Sequence, residues 1–175
     1  FTGHFDGQYH SIQNAFQNAS KVGLFHQVKV ATIEKLRLLD FDFTSDASLG
    51  GGIVGEATGD GTIFHQLWVE GSLDFSSSSQ TAVFAGGIVG LMKKTTMTEC
   101  VAIVAYTGIN SSSKGKKAGG LVGHDDGAST ISNSYSVSTL DGGMEFIAGL
   151  IGKHVNDDGT LSITNCYTAG TVSNV

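Results

Sequence analysis

Gly86-Gly-Ile-Val-Gly90 has four relatives in the chain: Val22-Gly-Leu-Phe-His26, Gly51-Gly-Ile-Val-Gly55, Gly119-Gly-Leu-Val-Gly123 and Ala148-Gly-Leu-Ile-Gly152. Their second residues are Gly23, Gly52, Gly87, Gly120 and Gly149, spaced by 29, 35, 33 and 29 residues. A second marker keeps step with the first at Thr32-Ile33, Thr62-Ile63, Thr96-Met97, Thr130-Ile131 and Ser162-Ile163, spaced by 30, 34, 34 and 32 residues. Two unrelated phrases sharing one drifting period are the signature of a repeat architecture, in which each unit stacks on the last.

The segments between glycines are too short for paired amphipathic helices. Each marker instead opens a β-type run, such as Met97-Thr-Glu-Cys-Val-Ala-Ile-Val104. A second short strand follows (Gly71-Ser-Leu-Asp-Phe75 in one copy), then a polar loop of variable length (Ser76 to Gln80, Ser111 to Lys117), then the glycine phrase as a third strand. The predicted fold is all-β: a right-handed parallel β-solenoid with three short strands per turn and about five turns, roughly 25 Å tall at ~4.8 Å per rung. Loops of unequal length leave such a column at its corners without disturbing the stack. A β-propeller is the structural alternative, although its four strands in about 40 residues exceed what these repeats comfortably hold. One domain is expected over 1–175, with turns beginning near 1, 32, 62, 96, 130 and 162. Composition agrees: 25 Gly is about twice the usual share, and the absence of Pro keeps ladder donors intact.

A net charge of -6 opposes binding to nucleic acid or to an anionic membrane through a general field. The longest apolar run, about Val101 to Tyr106, falls far short of the ~20 residues that cross a bilayer, so no membrane insertion is expected. Lys114, Lys116 and Lys117 form the only dense basic patch, read as a solvated loop tip. The chain opens at Phe1 in a strand-like segment with neither initiating Met nor signal peptide, which predicts a piece of a longer polypeptide. Cys100 and Cys166 each lie three residues after a marker, with Leu36, Gln66 and Ser134 in the corresponding places. Two rungs separate them, about 9.6 Å. That is beyond the ~7 Å Cα limit for a disulfide, so two free, buried thiols are expected.

The phrases resemble the GLUG motif, a short repeat found in bacterial surface proteins and beside the protease domain of some immunoglobulin-A-specific metallopeptidases. The residues carrying the resemblance are Gly23 to Phe25, Gly52 to Gly55, Gly87 to Gly90, Gly120 to Gly123 and Gly149 to Gly152, with Ile131 to Ser134 and Ile163 to Cys166. It covers essentially the whole chain, although His26 replaces the closing Gly of the first copy. The resemblance implies a β-helical stalk or adhesin segment, extracellular or on the cell surface, with neighbouring domains of a parent chain and a host or matrix glycan or protein as partners. It brings no catalytic residue: the peptidases need a zinc-binding His-Glu-x-x-His, which this sequence lacks.

Gly50 to Gly55 satisfies the G-x-G-x-x-G fingerprint, but Glu56-Ala-Thr-Gly-Asp-Gly61 after it cannot form the helix a dinucleotide site needs; the glycines are expected to allow close packing and positive φ. Six histidines include His124 and His154, which follow successive phrases and are candidates to meet across turns, as a metal pair or as plain corner residues. The acidic turns carrying Asp60, Asp125, Asp126, Asp157 and Asp158 lie on one edge, either as calcium ligands or as tight Asp-Gly turns. Ser76 to Ser79 and Ser111 to Ser113 read as loops without a nucleophile elbow. Trp68, Tyr106, Tyr135 and Tyr167 are candidates for a sugar platform, with Tyr135 and Tyr167 stacked. The expectation is a non-catalytic adhesive segment with no cofactor and no metal. The alternative is a polysaccharide-acting enzyme on the same scaffold, for which Asp40, Asp42 and Asp74 with Arg37 would have to gather.

Overall fold

A computed structural model describes residues 1–75, 82–109, 115–142, 145–155 and 159–173. They form a parallel β-solenoid of about five turns, and among the described residues there is no helix. Sixteen strands make one sheet that wraps the column, and five make a second: Phe25–Lys29, Val54–Thr58, Val89–Met92, Val122–Asp126 and Ile151–Val155. The three strands expected per lap are subdivided by corners. The lap beginning at Thr95 runs Thr95–Thr98, Val101–Ile109, Lys117–Gly119 and Val122–Asp126; the lap beginning at Thr130 is cut into five pieces.

The corners follow a rule in the backbone. One residue per lap, Lys35, Gln66, Glu99, Asn133 or Asn165, sits at φ 49 to 55°, two residues after the buried residue of the marker (Ile33, Phe64, Met97, Ile131 or Ile163). A left-handed residue reverses the local direction of the chain, and five in register bend five laps at the same edge. Asn suits this conformation, and Asn165 Nδ2 donates to Asn133 Oδ1 at 3.2 Å, adding a side-chain rung to the backbone ladder.

The register differs from the sequence expectation in one lap. Ile33 pairs with Phe64, not with Ile63, and Phe64 continues through Met97, Ile131 and Ile163. Strand side chains alternate between faces, so this slip of one residue sends Phe64 inward, fully buried, and Ile63 outward. The thiol column is therefore Leu36, Leu67, Cys100, Ser134 and Cys166, with Leu67 where Gln66 was expected. Both cysteines are free and two rungs apart, with Ser134 Oγ accepting the Cys100 N–H at 3.0 Å between them. Cys100 is buried, which pushes its thiol up to about 12; Cys166 is only partly buried, so the expectation of two buried thiols holds for one.

The interior is narrow, and the glycine phrases explain how. A Cβ on Gly52 would lie 2.5 Å from Val69 Cγ1, on Gly87 2.6 Å from Ala102 Cβ, on Gly120 2.6 Å from Ser136 Cβ, and on Gly149 2.5 Å from Thr168 Cγ2. These glycines form one wall against which the opposite wall packs directly. None of the four has positive φ, so of the two services expected of these glycines they provide the close packing and not the corner conformation; only Gly23, in the first copy, has φ 151°. Gly50 to Gly55 leads into the strand Val54–Thr58, not a helix.

Candidate binding face

Residues alternating with the buried column point outward. Arg37, Trp68, Val101, Tyr135 and Tyr167 occupy one register line across five laps. Ile103 and Val137 follow two residues along, beside Glu70. The backbone near Glu70 is irregular. Leu38 pairs with Val69 and Phe41 with Gly71, so Leu39 and Asp40 both oppose the single Glu70. This β-bulge, with Asp40 at φ 52°, bends the strand and opens the surface there.

Three shallow hollows lie along this face. The first, about 180 Å³, includes Tyr9, Lys35, Arg37, Gln66, Trp68 and Glu99. Arg37, Leu39, Trp68 and Glu70 line the second, about 270 Å³. The third, about 340 Å³, has Asp40 and Glu70 with Gly71, Ile103 and Val137 among its lining. Among the described residues, the side chains of Arg37 and Glu70 have no hydrogen-bond or ion-pair partner. An unpaired donor fork and an unpaired acceptor thus flank one hollow beside an indole.

The other aromatic candidates divide. Tyr135 and Tyr167 stack at 4.8 Å and 6°, as expected, but each ring spends one face on the other. Tyr106 turns inward, where burial raises its phenol and its hydroxyl donates to Gly119 O at 2.9 Å; it is no part of the surface.

Asp125 and Asp126 are engaged within the fold. Asp125, fully buried, accepts from Ser129 Oγ at 2.6 Å and lies 2.7 Å from His154 Nδ1. Burial raises its carboxyl above the ordinary range despite both partners. Serine, histidine and aspartate meet here in the wrong order for nucleophilic catalysis: the hydroxyl reaches the carboxylate, not the imidazole, and is buried. Asp126, on the opposite face of the strand, lies 3.4 Å from Lys93. Asp60 sits in a separate turn, and Asp157 and Asp158 lie outside the described residues, as do Ser76 to Ser79, Ser111 to Ser113 and Lys114.

The pairs expected from sequence spacing come apart. His124 registers with Lys153 and Asp125 with His154, so the two histidines are offset by one residue and face opposite ways. His124 is 8 % exposed, stacks on Phe84 at 4.8 Å and leaves Nδ1 without a partner. Burial, with Lys117 nearby, pushes its imidazole down to about 4. Lys116 and Lys117 are buried, Lys117 Nζ lying 4.3 Å over the Phe84 ring, so they form no exposed basic tip. Asp42 accepts from Ser72 at 2.9 Å, whereas Arg37 and Asp40 join hollows on either side of Glu70.

One polar cluster had no sequence signal. Glu34 receives His4 Nε2 at 2.8 Å and His65 Nδ1 at 3.3 Å, with Lys35 Nζ at 3.4 Å, and these bonds hold its carboxyl below the ordinary range. Its members come from three laps, so only the register reveals it. Among the described residues no group of three or more His, Cys, Asp or Glu is arranged to hold a metal.

Fold and face together define a parallel β-solenoid with one open, hollowed outer surface. No family model, curated protein or solved structure matches the chain.

Proposed function

We propose that the chain is a non-catalytic, extracellular structural and adhesive repeat segment of a bacterial surface protein, displaying a ligand-binding face. The observation that carries this reading is the outer surface at Arg37, Trp68 and Glu70, where unpaired polar groups stand over shallow hollows instead of converging in an enclosed cleft. The resemblance to GLUG repeats supports the same reading, and a registered stack suits a stalk because each lap adds length without new architecture. The partner is a host or matrix glycan or protein, with neighbouring domains of the parent chain on the same column.

Presenting the segment and its longer parent to glycan arrays and immobilised matrix proteins, with and without calcium, tests this. Saturable binding to one of these surfaces supports adhesion, and its absence from all of them overturns it. A second reading, a polysaccharide-acting enzyme, is favoured by one observation: the carboxylates of Asp40 and Glu70 share a hollow. New reducing ends after incubation with polysaccharide, abolished by Glu70→Gln, would establish that reading in place of the first.

A further inference from the structure

We propose that the hollow between Arg37, Leu39, Trp68 and Glu70 binds a pyranose unit of a neutral polysaccharide; this rests on the display reading above and names its ligand. The hollow, about 270 Å³, accommodates a single sugar ring rather than a folded protein loop. Its walls alternate in the way a sugar does. Trp68 and Leu39 offer apolar surface to the C–H face of a pyranose, Arg37 brings donors for ring and exocyclic oxygens, and Glu70 accepts from hydroxyls.

Among the described residues neither charged group has a partner, so a polyhydroxylated ligand satisfies both without breaking a pair described there. Charge selects a neutral polymer. Arg37 and Glu70 put opposite charges on the hollow, as Lys35 and Glu99 do on the one beside it, and Asp40 adds a negative charge beyond. An acidic glycan would meet a chain of net charge -6. Continuity selects a polymer over a monosaccharide. The first and second hollows share Arg37 and Trp68, and the second and third share Glu70, so successive sugar units find successive depressions. A protein partner would require a broader buried apolar core than these three linked depressions supply.

Trp68 is the only tryptophan, so its emission reports on the hollow directly. The segment is titrated separately with cellohexaose, xylohexaose, mannohexaose and maltohexaose. The expected result is a saturable change in Trp68 emission with at least one of them, weakened at least about tenfold in Arg37→Ala and in Glu70→Ala and unchanged in Ile63→Ala, a surface control on another face. Circular dichroism establishes that the variants keep the sheet. No response to any of the four at millimolar concentration, or equal affinity in the Arg37 and Glu70 variants, overturns the assignment. Binding to fibronectin or collagen without any response to oligosaccharide would leave the adhesive reading standing and sink this one. New reducing ends from a bound oligosaccharide would do the reverse, removing the non-catalytic reading while keeping the ligand class.

Discussion

The lap beginning at Ala31 and the lap beginning at Thr130 share one backbone plan and differ almost completely inside. Leu36, Leu38 and Phe43 in the first become Ser134, Ser136 and Leu140 in the second, along register lines that pass through Leu67, Val69 and Leu73, then Cys100, Ala102 and Tyr106. The early lap is held by apolar packing, with Phe41 and Phe43 at 4.8 Å. The later one is held by hydroxyls that serve the ladder: Ser134 Oγ donates to Ser132 O at 2.7 Å, and Ser136 Oγ donates to Ser138 Oγ at 2.7 Å. The shared ladder fixes the shape, so the interior tolerates either chemistry provided that the buried hydroxyls are paired. What it does not tolerate is bulk against the glycine wall.

Substitutions that remove or add bulk in the apolar lap beginning at Thr62 should have the largest effects. Phe64→Ala, in the apolar half, is expected to cost about 4 kcal/mol by urea unfolding. Gly87→Ala is expected to cost about 3 kcal/mol, because the new Cβ meets the Gly120 carbonyl of the next lap and Ala102 on the opposite wall, and adding Ala102→Gly should restore only the share due to Ala102. A loss below 1 kcal/mol for Gly87→Ala would refute the narrow-interior account.

Acid should act on the later laps through His124 and, lower in the acid range, on the early ones through the depressed carboxyl of Glu34. His124, buried against Phe84 with Lys117, Asp126, Lys153 and His154 in its electrostatic surroundings, is pushed down to about 4, below its unfolded value of 6.5. Between these values the unfolded chain binds the extra proton, so stability is full above pH ~6.5 and falls by roughly 3 kcal/mol as the pH drops to ~4. Asp125 works in the opposite sense: its raised carboxyl protonates first in the native state, so acidification through its window returns some stability and shallows the slope. Thermal melts across this range should show the decline, and His124→Gln should flatten it. The smallest effect is expected from Ser136→Ala, about 1 kcal/mol, since it removes one hydroxyl pair and leaves the glycine contact relaxed.

How much of this was legible in the sequence turns on a single residue. The period, the parallel stack, the glycine register and the Tyr135–Tyr167 pair all follow from phrases that repeat by identity. Thr62-Ile63 also matched by identity, yet the burial alternation belongs to Ile63-Phe64, and the larger Phe64 took the interior. That slip hid the site: in the expected register Arg37 stands beside Leu67, and only the true one sets it beside Trp68. The bulge at Asp40 was equally silent, since no turn phrase marks it. His124 and His154 looked equivalent by spacing because each follows a glycine phrase, but one phrase is followed directly by His and the other by Lys153 first.

The registered ladder also determines how the column answers force. Its hydrogen bonds lie along the long axis and its strands lie across it, so tension entering through the backbone at an end meets one lap at a time. Each lap peeled away would release about thirty residues, roughly 100 Å of extended chain, in place of a single ~4.8 Å rung. Such a segment would yield in discrete steps, lengthening under shear while the laps beneath stay wound.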